Sequence, residues 1–202
     1  MVETQRSVAW LKDGIVGIEL ADVTLSANSL SASGVAIAAD PSPYRCDYTL
    51  ETGDRFVSSR LKVATHGQGW RRTLDLHRDA TGEWTAETTV DGESDLPLPG
   101  GDMTLVRGAL DCDLAWSPLT NSMPVLREGF LDRPGSRDFL MAWVSLPDLG
   151  VRPSRQRYVA GPNVRTSRPL RYESLDSVFS ADLTFDRDGL VIDYPGLAQR
   201  LG

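Results

Sequence analysis

The feature that most constrains this chain is a two-residue period. Apolar and polar side chains alternate in short runs broken by turn residues, the pattern of half-buried strands rather than of helices. In residues 70–78, Trp70, Leu74 and Leu76 share one face while Thr73, Asp75 and His77 share the other. Residues 79–82 supply a turn, and the next run sets Trp84 and Ala86 against Glu83, Thr85 and Glu87, a hairpin with one wet face. The same period aligns Tyr44, Cys46, Tyr48 and Leu50, and again Phe179, Ala181, Leu183 and Phe185. Asp188-Gly189 favours the tight turn that matches strand twist, so residues 181–186 are expected to pair with 190–194. Tyr194-Pro195 is expected to open a short C-terminal helix, with Pro195 in its first turn and Leu197 and Leu201 on one side. The expected fold class is mainly β: a single curled antiparallel sheet or pseudo-barrel with that short C-terminal helix.

Two segments break the one-face rule. In residues 137–146, Phe139, Met141 and Trp143 point one way and Leu140, Ala142, Val144 and Leu146 the other, so both faces need cover. Either protein covers both, or one face lines a cavity that an apolar ligand fills. Residues 15–39 are rich in small side chains (Ala27, Ser29, Ser31, Ala32, Ser33, Gly34, Ala36, Ala38 and Ala39). Small residues allow tight sheet curvature, or they leave room for an acyl chain.

At 202 residues and 41% hydrophobic content, with no linker-like tract, the chain is expected to form one domain over 1–202 with a sizeable core. Residues 1–10 carry Glu3 and Arg6 and lead into no apolar block, so neither a signal nor a transmembrane segment is read, and a cytoplasmic location is expected. Cys46 and Cys112, far apart and without metal-type spacing, are expected to be small buried thiols. A net charge of −7 argues against nucleic acid as a partner. An exposed edge strand of an incomplete barrel offers a route to a homodimer. Against the acidic whole, Arg152, Arg155, Arg157, Arg165, Arg168 and Arg171 follow one another with no acidic residue between. They would hold an anionic head group or face acidic side chains on neighbouring strands.

Signals of catalysis are thin. His66 and His77 are the only histidines, and neither has a partner at zinc-ligand spacing. Phosphate-loop, dinucleotide and nucleophile-elbow motifs are not found, so no catalytic residue, metal ligand or cofactor is assigned. The best enzymatic alternative joins Asp111, Asp113, Asp182 and Asp186 around magnesium or manganese for hydrolysis of a small phosphorylated substrate. The competing reading places these aspartates on a hydrated outer face.

Residues 111–127 read Asp-Cys-Asp-Leu-Ala-Trp-Ser-Pro-Leu-Thr-Asn-Ser-Met-Pro-Val-Leu-Arg. They resemble the signature of a bacterial family named for glycolipid binding, and the likeness extends to residues 143–147, Gln156-Arg157-Tyr158, 188–191 and 194–197. The resemblance implies a single mostly β pseudo-barrel and a lipid or glycolipid ligand, and it implies no catalytic residue. Within these segments Thr120 and Asn121 suit bonds to local backbone that hold an irregular loop. Arg127 suits a pair with Asp111 or Asp113, or a ligand head group. Gln156 and Tyr158 share a face from which to meet sugar hydroxyls, with Trp116 or Trp143 as an aromatic platform. The candidate ligand-binding set is therefore Trp116, Thr120, Asn121, Arg127, Trp143, Gln156 and Tyr158, for noncatalytic binding of a lipid or glycolipid inside the curled sheet.

Overall fold

The computed structural model describes residues 3–40, 42–162 and 170–202. Seven strands come first: β1 (Thr4–Lys12), β2 (Gly17–Leu25), β3 (Leu30–Ala38), β4 (Tyr44–Thr52), β5 (Ser58–Gly67), β6 (Trp70–Arg78) and β7 (Trp84–Gly92). After an irregular crossing come β8 (Asp111–Leu114), the short helix α1 (Ser122–Glu128), β9 (Gly135–Val144), β10 (Val151–Ala160) and β11 (Leu170–Ser174). The chain ends with β12 (Ser180–Phe185), β13 (Val191–Tyr194) and β14 (Ala198–Leu201).

All fourteen strands belong to one open sheet, in the order β7-β6-β5-β4-β3-β2-β1-β14-β13-β12-β11-β10-β9-β8. Sequential hairpins and the pairing of β1 with β14 are antiparallel, whereas β8 reaches β9 through α1 and runs parallel to it. The expected curled sheet is present, and so are the hairpins of residues 70–92 and the pairing across Asp188-Gly189, where Gly189 has a φ of +81°.

The sheet rolls so that its last strands lie inside. Val8, Ala21, Tyr48, Val63 and Leu74 face one core, and Cys112, Leu114, Ala142 and Val144 of β8 and β9 fill it from the other side. The opposite face of β9, with Phe139 and Met141, closes a second core built from Tyr158, Leu170, Tyr172, Leu183 and Tyr194. The doubly apolar strand is thus a partition with protein on both sides. The rings of this second core meet edge to face, Phe139 with Tyr158 at 5.7 Å and Tyr158 with Tyr172 at 5.5 Å between centroids, the geometry the ring quadrupole prefers.

The small residues of β3 serve close approach. Tyr48 stands opposite Gly34, and its ring lies where any Cβ at residue 34 would come within 2.3 Å of it.

The C-terminal helix is not formed. Residues 194–197 make a turn in which Leu197 N–H donates to the Tyr194 carbonyl at 2.9 Å. Pro195 occupies the second position, and Gly196 takes the positive φ (+79°) that a type II turn requires in its third. The chain then returns as β14, paired with both β13 and β1. The one α-helix among the described residues is instead α1, in the signature segment. Phe179 precedes β12 and is 41% exposed, yet its ring meets Tyr172 and Tyr194 of the second core, and Ala181 and Leu183 point inward as expected.

Both cysteines are buried free thiols. Among the described arginines of the basic run, Arg157 lies opposite Asp138 in register and bonds it, and Arg171 does the same with Asp182. Arg155 pairs with Asp176 at 2.8 Å, and Arg152 stacks over Trp143 at 4.8 Å. Arg165 and Arg168 lie outside the described residues. No described helix is long and apolar enough to cross a membrane.

Candidate functional site

β8 sets the geometry of the signature segment. Its register opposite β9 puts Asp111 beside Met141 and Asp113 beside Trp143, on the face turned toward the second core. Asp111 is therefore an interior group and Asp113 a half-buried one, which corrects the reading that placed them on a hydrated outer face. The chain leaves β8 through Trp116, whose φ of +64° is strained for a bulky side chain. It then makes one 3-10 turn over Pro118–Asn121 and enters α1. Both prolines sit early in their turns, where a missing N–H is cheapest, and Gly129 ends α1 in the left-handed conformation.

This path brings five of the candidate residues together. Arg127 forms a two-pronged pair with Asp111, at 2.7 and 2.5 Å, and both side chains are almost wholly buried. Thr120 donates to one oxygen of Asp113 at 2.7 Å, and Gln156 donates to the other at 2.7 Å. The Tyr158 hydroxyl donates to the Asn121 side-chain oxygen at 2.6 Å. Thr120 and Asn121 also bond the carbonyls of Ser117 and Pro118, as loop-holding residues should.

Burial pushes both aspartates above the usual carboxylate range, against the opposing pull of Arg127 on Asp111 and of Thr120 and Gln156 on Asp113. Trp143 lies on the same face, half-buried under Arg152. Trp116 is turned away from this cluster toward a neighbouring recess.

That recess holds residues the sequence reading missed. It is lined by Ile15, Ala36, Ala38, Tyr44, Leu114, Trp116 and Leu146, with Lys12 and Glu19 among them. Lys12 and Glu19 form an ion pair with side chains 2% and 0% exposed, and the Lys12 ammonium also donates to the Trp116 carbonyl. Tyr48, laid across Gly34, and Ser117 each donate to Glu19 at 2.6 Å. A signal was present: with Val8 and Trp10 facing inward, strict alternation carries Lys12 inward as well.

The four aspartates of the enzymatic alternative do not converge. Asp182 faces outward to Arg171, while Asp186 caps the Asp188 and Leu190 amides and pairs with Arg200. No group of three or more potential ligands among the described residues has metal-binding geometry.

Comparison with known proteins accords with this architecture. A family model described as "Putative glycolipid-binding" matches residues 7–200. No curated protein matches. A solved crystal structure of a DUF1089 family protein from Pseudomonas aeruginosa is 30% identical, covers 91% of this chain and 92% of its own, and superposes with a TM-score of 0.67. With a family model spanning both halves of the rolled sheet and the loop that joins them, this chain belongs to the glycolipid-binding family so described.

Proposed function

We propose that the protein binds a lipid or glycolipid without converting it, the apolar chain entering the interior of the rolled sheet beside Trp116. The observation that carries this reading is the recess itself. Its walls are aliphatic or small (Ile15, Ala36, Ala38, Leu114, Leu146), a buried ion pair lies at its base, and one wall residue, Trp116, sits on strained backbone. Strain of this kind is found at sites that move or bind.

In the present conformation the recess offers about 10 Å³, whereas ligand sites take roughly 300–1,000 Å³. Binding therefore requires the half-buried indole to swing out. An ammonium has three donors. Lys12 uses two, on Glu19 and the Trp116 carbonyl, leaving one for a ligand hydroxyl. Trp143, stacked under Arg152, lies on the opposite face of β9 from the recess, and Thr120, Asn121, Arg127, Gln156 and Tyr158 act by holding the loop that carries Trp116.

The test is native mass spectrometry of the full chain incubated with dodecyl maltoside, an amphiphile with a sugar head. A one-to-one adduct is expected, and it should be lost in Ala36→Leu, which fills the recess, while circular dichroism stays unchanged. Absence of any adduct, or equal uptake by Ala36→Leu, refutes an interior site.

A further inference from the structure

At the turn end of the first hairpin, where β1 meets β2, the polarity of the sheet is inverted. Lys12 and Glu19 point inward, so Leu11, Ile18 and Leu20 point outward, 51%, 42% and 46% exposed. Register extends them into two rows across four strands. Leu11 faces Ile18, which faces Ile37; Leu201 faces Ala9, which faces Leu20, which faces Val35. Ile37 and Leu201 are 53% and 46% exposed. Neighbours directly opposite on one face are in side-chain contact, so the residues form a single apolar stripe. The chain's own cores lie on the other side of these strands.

We infer that this outer face of β14, β1, β2 and β3 is covered by a second copy of the chain. Half-exposed leucine and isoleucine side chains of this number amount to roughly 500 Å² of apolar surface, at the upper part of the range of the largest patch on a monomer, which is often functional. A standard interface takes about 800 Å² from each partner, and some 65% of it is apolar in homodimers, so the stripe matches the apolar centre of such an interface. Two copies would pack it face to face about a two-fold axis, as sheets do at about 10 Å separation.

The border fits a protein better than a bilayer. The stripe is flanked in register by Gln199, Ser7, Asp22, Ser33, Arg45 and Asp47. The one cation among these, Arg45, is already closed on Asp47 at 2.9 Å, whereas membrane-docking faces carry surplus cations. This contact differs from pairing through the free edge of β7, which would extend the sheet instead of stacking it. It also has a consequence for ligand access. Ile37 lines both the stripe and an end groove of about 560 Å³ with Tyr44, Arg45, His66 and Trp70, so the partner would wall that groove.

Sedimentation equilibrium of the full chain decides it. The wild type should sediment at twice the 22.1 kDa chain mass, and Ile18→Glu and Leu20→Glu, both at exposed positions, should sediment as folded monomers. A wild type monomeric over a wide concentration range overturns the inference. So does a dimer that survives both substitutions, which would point to β7. A monomer that floats with phosphatidylcholine vesicles and loses that property in Ile18→Glu would assign the stripe to a lipid surface instead, and equally refutes the dimer.

Discussion

Replacing Arg127 with methionine tests whether the signature segment is held by charge. The substitution keeps most of the stem that passes Phe139, whose ring centroid lies 5.6 Å from the guanidinium carbon, and removes both bonds to Asp111. Hydrogen bonds to charged groups contribute about 1.5–3 kcal/mol each. Stripping one partner from a buried pair costs about 3–5 kcal/mol, because the remaining charge is left without water or partner. The Asp111 side chain is 1% exposed, so the upper part of that range applies. Against a total stability of roughly 5–15 kcal/mol, Arg127→Met should survive folding with little to spare.

The pH dependence fixes the mechanism. Asp111 already sits above its ordinary value of 3.8 because burial outweighs Arg127; removing the guanidinium lifts it further. A carboxyl with a folded-state pKa above its unfolded one holds its proton more tightly in the fold, so this contribution is favourable in acid and is lost as pH rises from the unfolded value through the raised one. The deficit of Arg127→Met relative to wild type should therefore be largest near neutrality and shrink toward pH 3.8. Urea denaturation of wild type, Arg127→Met and Asp111→Asn/Arg127→Met across that range measures it. The double variant, with no buried charge, should regain much of the loss at neutral pH. A loss under about 1 kcal/mol, as exposed pairs show, or a deficit indifferent to both pH and Asp111→Asn, would refute the argument.

Three further outcomes follow from packing and backbone. Gly34→Ala puts a Cβ 2.3 Å from the Tyr48 ring and should cost about 1–3 kcal/mol as overpacking, measured by urea denaturation. Gly196→Ala, at a φ of +79°, should lower stability by about 1–2 kcal/mol in thermal denaturation, whereas at the start of a helix the same change would be neutral or favourable. Burial pushes the Cys46 thiol up strongly and Cys112 up to about 12, so a thiol reagent at neutral pH should label neither until the protein unfolds.

The strand period made most of the sheet readable, because a half-buried strand states its own faces: Tyr44 through Leu50 and Trp70 through Leu76 lie inward as their alternation requires. It failed where a strand has no solvent side. On β8 the sequence Asp-Cys-Asp-Leu alternates like an amphipathic strand, yet both faces are buried, and the aspartates reach partners at residues 120, 127 and 156 that only the tertiary fold brings near. Pro195 was misread because proline suits the first turn of a helix and the second position of a type II turn equally. Gly196 beside it carried the deciding information. Lys12 and Glu19 escaped notice because a charge inside and a leucine outside invert the usual sign of the pattern, and only the phase set by Val8 and Trp10 reveals it.

The hydrogen bonds of the signature segment explain why it identifies an architecture more readily than a ligand. Ser117 reaches Glu19 in the first half of the sheet; Thr120 and Asn121 reach Asp113 and Tyr158 in the second; Arg127 closes on Asp111 between them. A buried network is costly when partly satisfied, so none of these residues can change without stranding its partner, whatever the protein binds. The polar atoms that make these bonds are spent inside the molecule, and a ligand that took them would break a buried bond. On the proposed reading, selectivity would reside in groups that keep free capacity: the third donor of Lys12, the indole of Trp116, and the small side chains at residues 36 and 38 that line the recess. Family members with the same segment but different residues at positions 36 and 38 should share the fold and differ in the chain they accept.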